Sequence, residues 1–212
     1  MKTLGGLGYI LTIIPFLNFV APILVGIAWF QMGGRTNQSL FRATGVLYLV
    51  TFVAAIAVVA AFASVLIPMM FTLFSLGERA PLDEVLSILP AAAALGALTL
   101  GVGVLGFATF IVELVSHFRA SRIFASKWFR RAAWMRILAI VLALVFVAAV
   151  TFGALLIPEL FFGLGDSASA GFLGSVLLLL LLPVIVVGLL GPIFSAIAFF
   201  TLRELPPPPP DI

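Results

Sequence analysis

The chain has 212 residues, a net charge of +3, 64% hydrophobic and 9% charged residues, and no cysteine. Its mean hydropathy is +1.33. This composition excludes a soluble globular domain, disulfides, iron–sulfur clusters and thiolate metal sites, and a lone histidine, His117, excludes a bis-histidine haem or a His-rich metal site within the chain.

A bilayer core takes about 20 apolar residues per helical span. The first apolar block, Leu4 to about Met32, contains Pro15, Asn18 and Pro22. Proline removes a backbone donor and kinks a helix, so the block reads as one long kinked span or as a re-entrant hairpin turning near Pro15–Asn18. The single span is preferred. A short n-region with only Lys2, and no small-residue cleavage site, argue against a signal peptide. A polar linker, Gly33 to Ser39, leads to a second block from Leu40 to about Phe74, with Pro68 late in it. A charged loop with Glu78, Arg79, Asp83 and Glu84 precedes a third block, Val85 to about Val115. The stretch Phe118–Arg136 is basic. A fourth block then runs to about Phe162 and a fifth from Ala170 to Leu202, followed by a tail with a proline run, Pro206–Pro210. Such a run forms an extended polyproline II rod and reads as a solvated end.

The expected fold is therefore all-α: a polytopic transmembrane helical bundle of about five spans, with a cytoplasmic amphipathic linker. Residues 1–205 form one membrane domain and 206–212 a proline-rich tail. Arg35, Arg42, Arg119, Arg122, Lys127, Arg130, Arg131, Arg136 and Arg203 fall on one side of this arrangement, and only Lys2 and Arg79 on the other. The positive-inside rule makes the crowded side, with the C-terminus, cytoplasmic. A re-entrant first block would bring Lys2 inside as well. The pI near 10 thus reflects span flanks, not a nucleic-acid surface.

Ser39-Leu40-Phe41-Arg42-Ala43 is echoed by Lys127-Trp128-Phe129-Arg130-Arg131, Leu66-Ile67-Pro68 by Leu156-Ile157-Pro158, and Gly26-Ile27-Ala28-Trp29-Phe30 by Ala196-Ile197-Ala198-Phe199-Phe200. These echoes point to tandem hairpins, 40–117 and 128–205. Parallel repeats occur in some transporters and also in proteins that transport nothing. The run Leu40 to Val50, the opening Gly8-Tyr9-Ile10-Leu11 to Pro15 and the exit Ala198 to Glu204 resemble an archaeal family of multi-pass membrane proteins of unknown function. The resemblance implies an archaeal plasma-membrane protein and supplies no functional residues.

Gly101, Gly103 and Gly106 match G-x-G-x-x-G. The motif needs a preceding strand and a helix N-terminus to hold a pyrophosphate. Inside an apolar block, with Gly96 and Ala92 on the same face, it reads as small-residue helix packing. Glu113 and His117 share one helix face, four residues apart. A proton relay or cation site could use them; the preferred reading is that Glu113 pairs with Arg136 or Arg119 at headgroup level and His117 is interfacial. Glu159 caps a helix end or meets a headgroup. Asn18 satisfies backbone groups freed by the flanking prolines. In Phe118–Met135, Arg119, Arg122, Lys127, Arg130 and Arg131 share one side of a helical wheel and aromatic residues the other, which describes a helix lying on the cytoplasmic surface against anionic lipid. Asn37-Gln38-Ser39 is a glycosylation sequon, unused if cytoplasmic.

No nucleophile–base pair, paired carboxylates or metal cluster is visible, so the chain is not expected to be an enzyme and needs no cofactor. The leading expectation is a non-catalytic accessory or structural subunit. Its partners are the lipid bilayer and other membrane proteins or further copies of itself, with no nucleic acid. The alternative is a small-solute or ion transporter or channel.

Overall fold

The computed structural model describes residues 1–76, 82–156 and 167–202. These form helices and turns only: α1 (Lys2–Leu11), α2 (Ala21–Thr36), α3 (Ser39–Leu76), α4 (Leu82–Ile123), α5 (Lys127–Leu156) and α6 (Ser167–Phe200). Among the described residues, four helices are long and apolar enough to cross a membrane, over Ser39–Val65, Pro90–Ile123, Lys127–Gly153 and Ser175–Phe200. The chain is thus an all-helical membrane protein. Glu78, Arg79, Glu159, Asp166 and the tail from Arg203, with its proline run, lie outside the described residues.

The first apolar block is not one continuous helix. It divides into α1, of 10 residues, and α2, of 16, both shorter than a crossing requires. Pro15 has no N–H to continue a helix. Residues 12–20 form successive turns instead, with Leu17 and Asn18 amides bonding to the Ile14 carbonyl. Asn18 is exposed on this segment. Its backbone carbonyl accepts from the Ala21 amide and so closes the last turn before α2.

The chain divides into two compact units, one of Met1 and Pro22–Glu113, the other of Lys2–Ala21 and Leu114–Ile212. In the first, α2 and α3 approach closely at Gly26 and Gly45. A Cβ at Gly45 would lie 2.5 Å from the Gly26 carbonyl oxygen and 2.6 Å from the Phe30 nitrogen, so only a glycine fits there. Trp29 and Phe41, both fully buried, stack nearby with centroids 5.3 Å apart. Thr51 and Thr109 join α3 to α4 through a 2.7 Å hydroxyl contact. Thr109 donates to the Leu105 carbonyl at 2.9 Å, as Thr44 does to Leu40 and Thr99 to Leu95. Bonds back to the same helix let hydroxyls sit in an apolar setting without losing a partner.

In the second unit α6 packs against both α5 and α1. Gly5 and Gly6 of α1 lie directly on the rings of Phe199 and Phe200. Tyr9, Phe129 and Phe199 are all buried, and their rings meet at 5.4–5.6 Å.

The expected surface helix over 118–135 is not continuous. Residues up to Ile123 complete α4, and α5 begins at Lys127. Ala125 between them has a left-handed backbone, φ 48°, and the Ser126 amide bonds to the Ser121 carbonyl. This is the Schellman closure of a helix C-terminus, and it turns the chain sharply. The turn between α2 and α3 is built in the same way: Asn37 has φ 52° and the Gln38 amide bonds to the Gly33 carbonyl. The echo of Phe41 in Phe129 therefore extends back through the turn, in constant register, to Gly33 and Ser121.

Candidate functional site

The buried polar side chains of the described residues concentrate on one face of α4. Thr109, Glu113, Ser116 and His117 are 5%, 2%, 0% and 0% exposed. With Ala120, their spacing of four, seven, eight and eleven residues is the stripe one helix face presents. The same spacing recurs in buried residues of α2 (Ala21, Val25, Ala28, Trp29, Met32) and of α6 and the residues just after it (Gly191, Ser195, Ala198, Phe199, Leu202). Position by position, α2 is apolar where α4 is polar. His117 takes the register of Trp29 and Glu113 that of Val25.

His117 is the centre of the second unit. Its ring meets Tyr9 edge-on at 5.9 Å and Phe129 at 5.7 Å. Its Nε2 lies 2.9 Å from Ser195 Oγ. Ser195 is fully buried, and its hydroxyl also donates to the Gly191 carbonyl at 3.0 Å and accepts from Arg136 Nη2 at 3.2 Å. A hydroxyl has one proton and two lone pairs. With the proton on Gly191, both lone pairs accept, one from Arg136 and one from a His117 Nε2–H. The Ser195 oxygen is then fully occupied. Gly191 has a second use: a Cβ there would come within 3.2 Å of Arg136 Cγ, so glycine gives the arginine stem its room. The Arg136 guanidinium also lies over the Tyr9 ring, 5.3 Å from its centroid, within cation–π range.

A serine and a histidine at 2.9 Å invite comparison with a nucleophile and its base. The hydrogen-bond count argues otherwise. A base must accept the hydroxyl proton, and here the Gly191 carbonyl competes with the imidazole for it. No substrate reaches a serine oxygen that is enclosed on all sides. The arrangement is suited to holding α1, α4, α5 and α6 of one unit in fixed register through a buried polar link.

Of the residues singled out in the sequence, Glu113 and His117 are deeply buried one turn apart on α4. Arg136 donates to Ser195 and lies over the Tyr9 ring. Arg119, Arg122, Lys127, Arg130 and Arg131 are all exposed, and Arg131 covers the Trp128 ring at 4.9 Å. Among the described residues, no close contact is made at Gly96, Gly101, Gly103 or Gly106, where one was expected. A Cβ at any of them meets no atom within 4 Å beyond its own helix. The tight glycines are instead Gly5, Gly6, Gly26, Gly33 and Gly45. Among the described residues, no group of histidine and carboxylate side chains could hold a metal ion.

Ser195 was not legible as a site residue. It is one serine in an apolar block, with its partner far away in sequence, and only the shared spacing of α2, α4 and α6 marks its position. Comparisons with protein-family models, curated proteins and solved structures return no match.

Proposed function

We propose that this chain is a non-catalytic integral membrane protein, an accessory or structural subunit whose spans pack laterally against other membrane-protein subunits. The observation that carries the reading is how little the spans bury against each other. In their most apolar windows none of the residues of α3 or α5 is buried, and 11% and 6% of those of α4 and α6. Lipid can cover large aliphatic side chains. It does not make good use of the open glycine face on α4, Gly96, Gly103 and Gly106, which is the surface that lets a second helix backbone come close. The occupied Ser195 oxygen and its enclosure support a non-enzymatic role.

The turns at Asn37 and Ser126 and the C-terminal end of α6 lie on the cytoplasmic side, because the Lys and Arg residues cluster there. With α1 and α2 too short to cross, Lys2 joins that side. The duplicated helix–turn–helix marks two copies of one ancestral hairpin. The archaeal resemblance and a plasma-membrane location belong to the same proposal.

Mild solubilisation of native membranes and purification of the intact chain tests the reading. Stoichiometric recovery with another membrane protein is the expected result. A lone homo-oligomer or monomer contradicts it.

A second reading, transport of a small cation or proton, rests on the polar face of α4. An ionisable residue inside a span marks a functional pathway by default, and Glu113 and His117 share that face. Ion flux in proteoliposomes, abolished by Glu113→Gln, would establish this reading over the first.

A further inference from the structure

The two helix–turn–helix copies share a turn type but not a surface. At the first turn the Arg42 stem lies against Gly33; a Cβ on Gly33 would sit 2.5 Å from Arg42 Cγ and 2.6 Å from its nitrogen. At the second turn the same register holds Ser121, whose Cβ keeps the Arg130 stem out of that place. A cleft of about 380 Å³ opens there, lined by Phe118, Ser121, Arg122, Ser126, Lys127 and Arg130. Arg122 and Lys127 stand where the first turn has Gly34 and Ser39. The second copy thus converts a filled, weakly charged turn into an open cleft with three cationic side chains.

We propose that this cleft binds a phosphate group. The Arg122 and Arg130 guanidinia supply planar, forked donors that match phosphate oxygens, and Lys127 adds a point charge. Ser126 adds a hydroxyl at the mouth of α5, whose first-turn amides carry the positive end of a 30-residue helix. The Ser121 hydroxyl serves as a wall, since it donates to the Phe118 carbonyl at 2.8 Å. The cleft sits where the span ending at Ile123 meets the span beginning at Lys127, which is the depth of lipid headgroups. A headgroup phosphate and a free phosphate are recognised by the same chemistry, and the experiment separates them.

The test uses the full chain in nanodiscs of zwitterionic lipid doped with phosphatidic acid, read by native mass spectrometry, and the detergent-solubilised chain titrated with inorganic phosphate. Two double variants remove equal charge. Lys127→Gln/Arg130→Gln alters the cleft. Arg119→Gln/Arg131→Gln alters exposed bases that do not line it. At about fivefold per basic residue near the surface, the cleft variant should bind about thirtyfold more weakly, and the control less than about threefold. This difference for phosphatidic acid alone assigns the cleft to a lipid headgroup; the same difference for inorganic phosphate assigns it to the free ion. Equal losses in both variants, or no saturable binding of either probe, overturn the proposal. Should the cleft double variant misfold, Arg122→Gln, at another exposed cleft position, replaces it against Arg119→Gln alone.

Discussion

His117 on α4 and Ser195 on α6 are joined by a 2.9 Å hydrogen bond inside a ring of Tyr9, Phe129 and Phe199. The serine oxygen is the shared acceptor for the imidazole and for Arg136. Ser195→Ala removes the hydroxyl that bonds both His117 and Arg136. A donor left unmade in a buried site costs about 1–3 kcal/mol. The variant should therefore melt several degrees lower than the wild type in detergent, measured by intrinsic fluorescence. An unchanged melting point would mean that the link contributes nothing to holding α4 and α6 in register.

Glycines of the same composition class should behave in opposite ways. Gly45→Leu forces atoms into the Gly26 carbonyl and the Phe30 backbone, where nothing flexible can yield. Overpacking of this kind costs about 1–3 kcal/mol or more. Gly103→Leu meets open space, so the isolated chain should keep its thermal stability. Comparable melting curves for the two variants would contradict the placement of α2 against α3.

Ala125 and Asn37 share a left-handed backbone at φ 48° and 52°. Asparagine visits that region readily, whereas for alanine it costs about 1–2 kcal/mol. Ala125→Gly relieves the strain and should raise stability by up to about 1 kcal/mol after its own backbone entropy is set against the gain. Asn37→Gly should change stability by less. Thermal unfolding of the two variants side by side checks the ordering, and a loss on Ala125→Gly would contradict a left-handed turn there.

The four span-length helices were legible because a bilayer imposes long uninterrupted apolar runs, and blocks two to five coincide with α3 to α6. The first block was read differently. Hydropathy is blind to the difference between one long span and two short helices, and the outcome turns on Pro15 and the turns around it. The amphipathic linker failed for a related reason. A helical wheel assumes an unbroken helix, and one left-handed residue, Ala125, breaks it. The signal was present in the likeness of Phe41 and Phe129, which extends back to Asn37 and Ala125. Gly101, Gly103 and Gly106 read as a packing face because small residues permit contact; their sequence does not say whether the same chain provides it. The Ser195–His117 link joins distant blocks through common residue types, and single-sequence patterns carry no trace of it.

Membrane topology is open to thiol labelling, since the chain has no cysteine of its own. Single cysteines at Thr3 and Ser126 should both react only from the cytoplasmic side, and a cysteine at Ser167 only from outside. Labelling of Thr3 and Ser126 from opposite sides would restore a crossing to the first block and contradict the short helices α1 and α2.

The central claim, lateral packing against other membrane subunits, is tested most directly by a single cysteine at Gly103 treated in native membranes with a short bifunctional crosslinker. The account predicts one discrete adduct that contains a second, different membrane protein, and no such adduct from a cysteine at Val141, an exposed position on α5. A chain that stays monomeric or links only to itself, with proteoliposomes that conduct ions until Glu113→Gln is introduced, would contradict it.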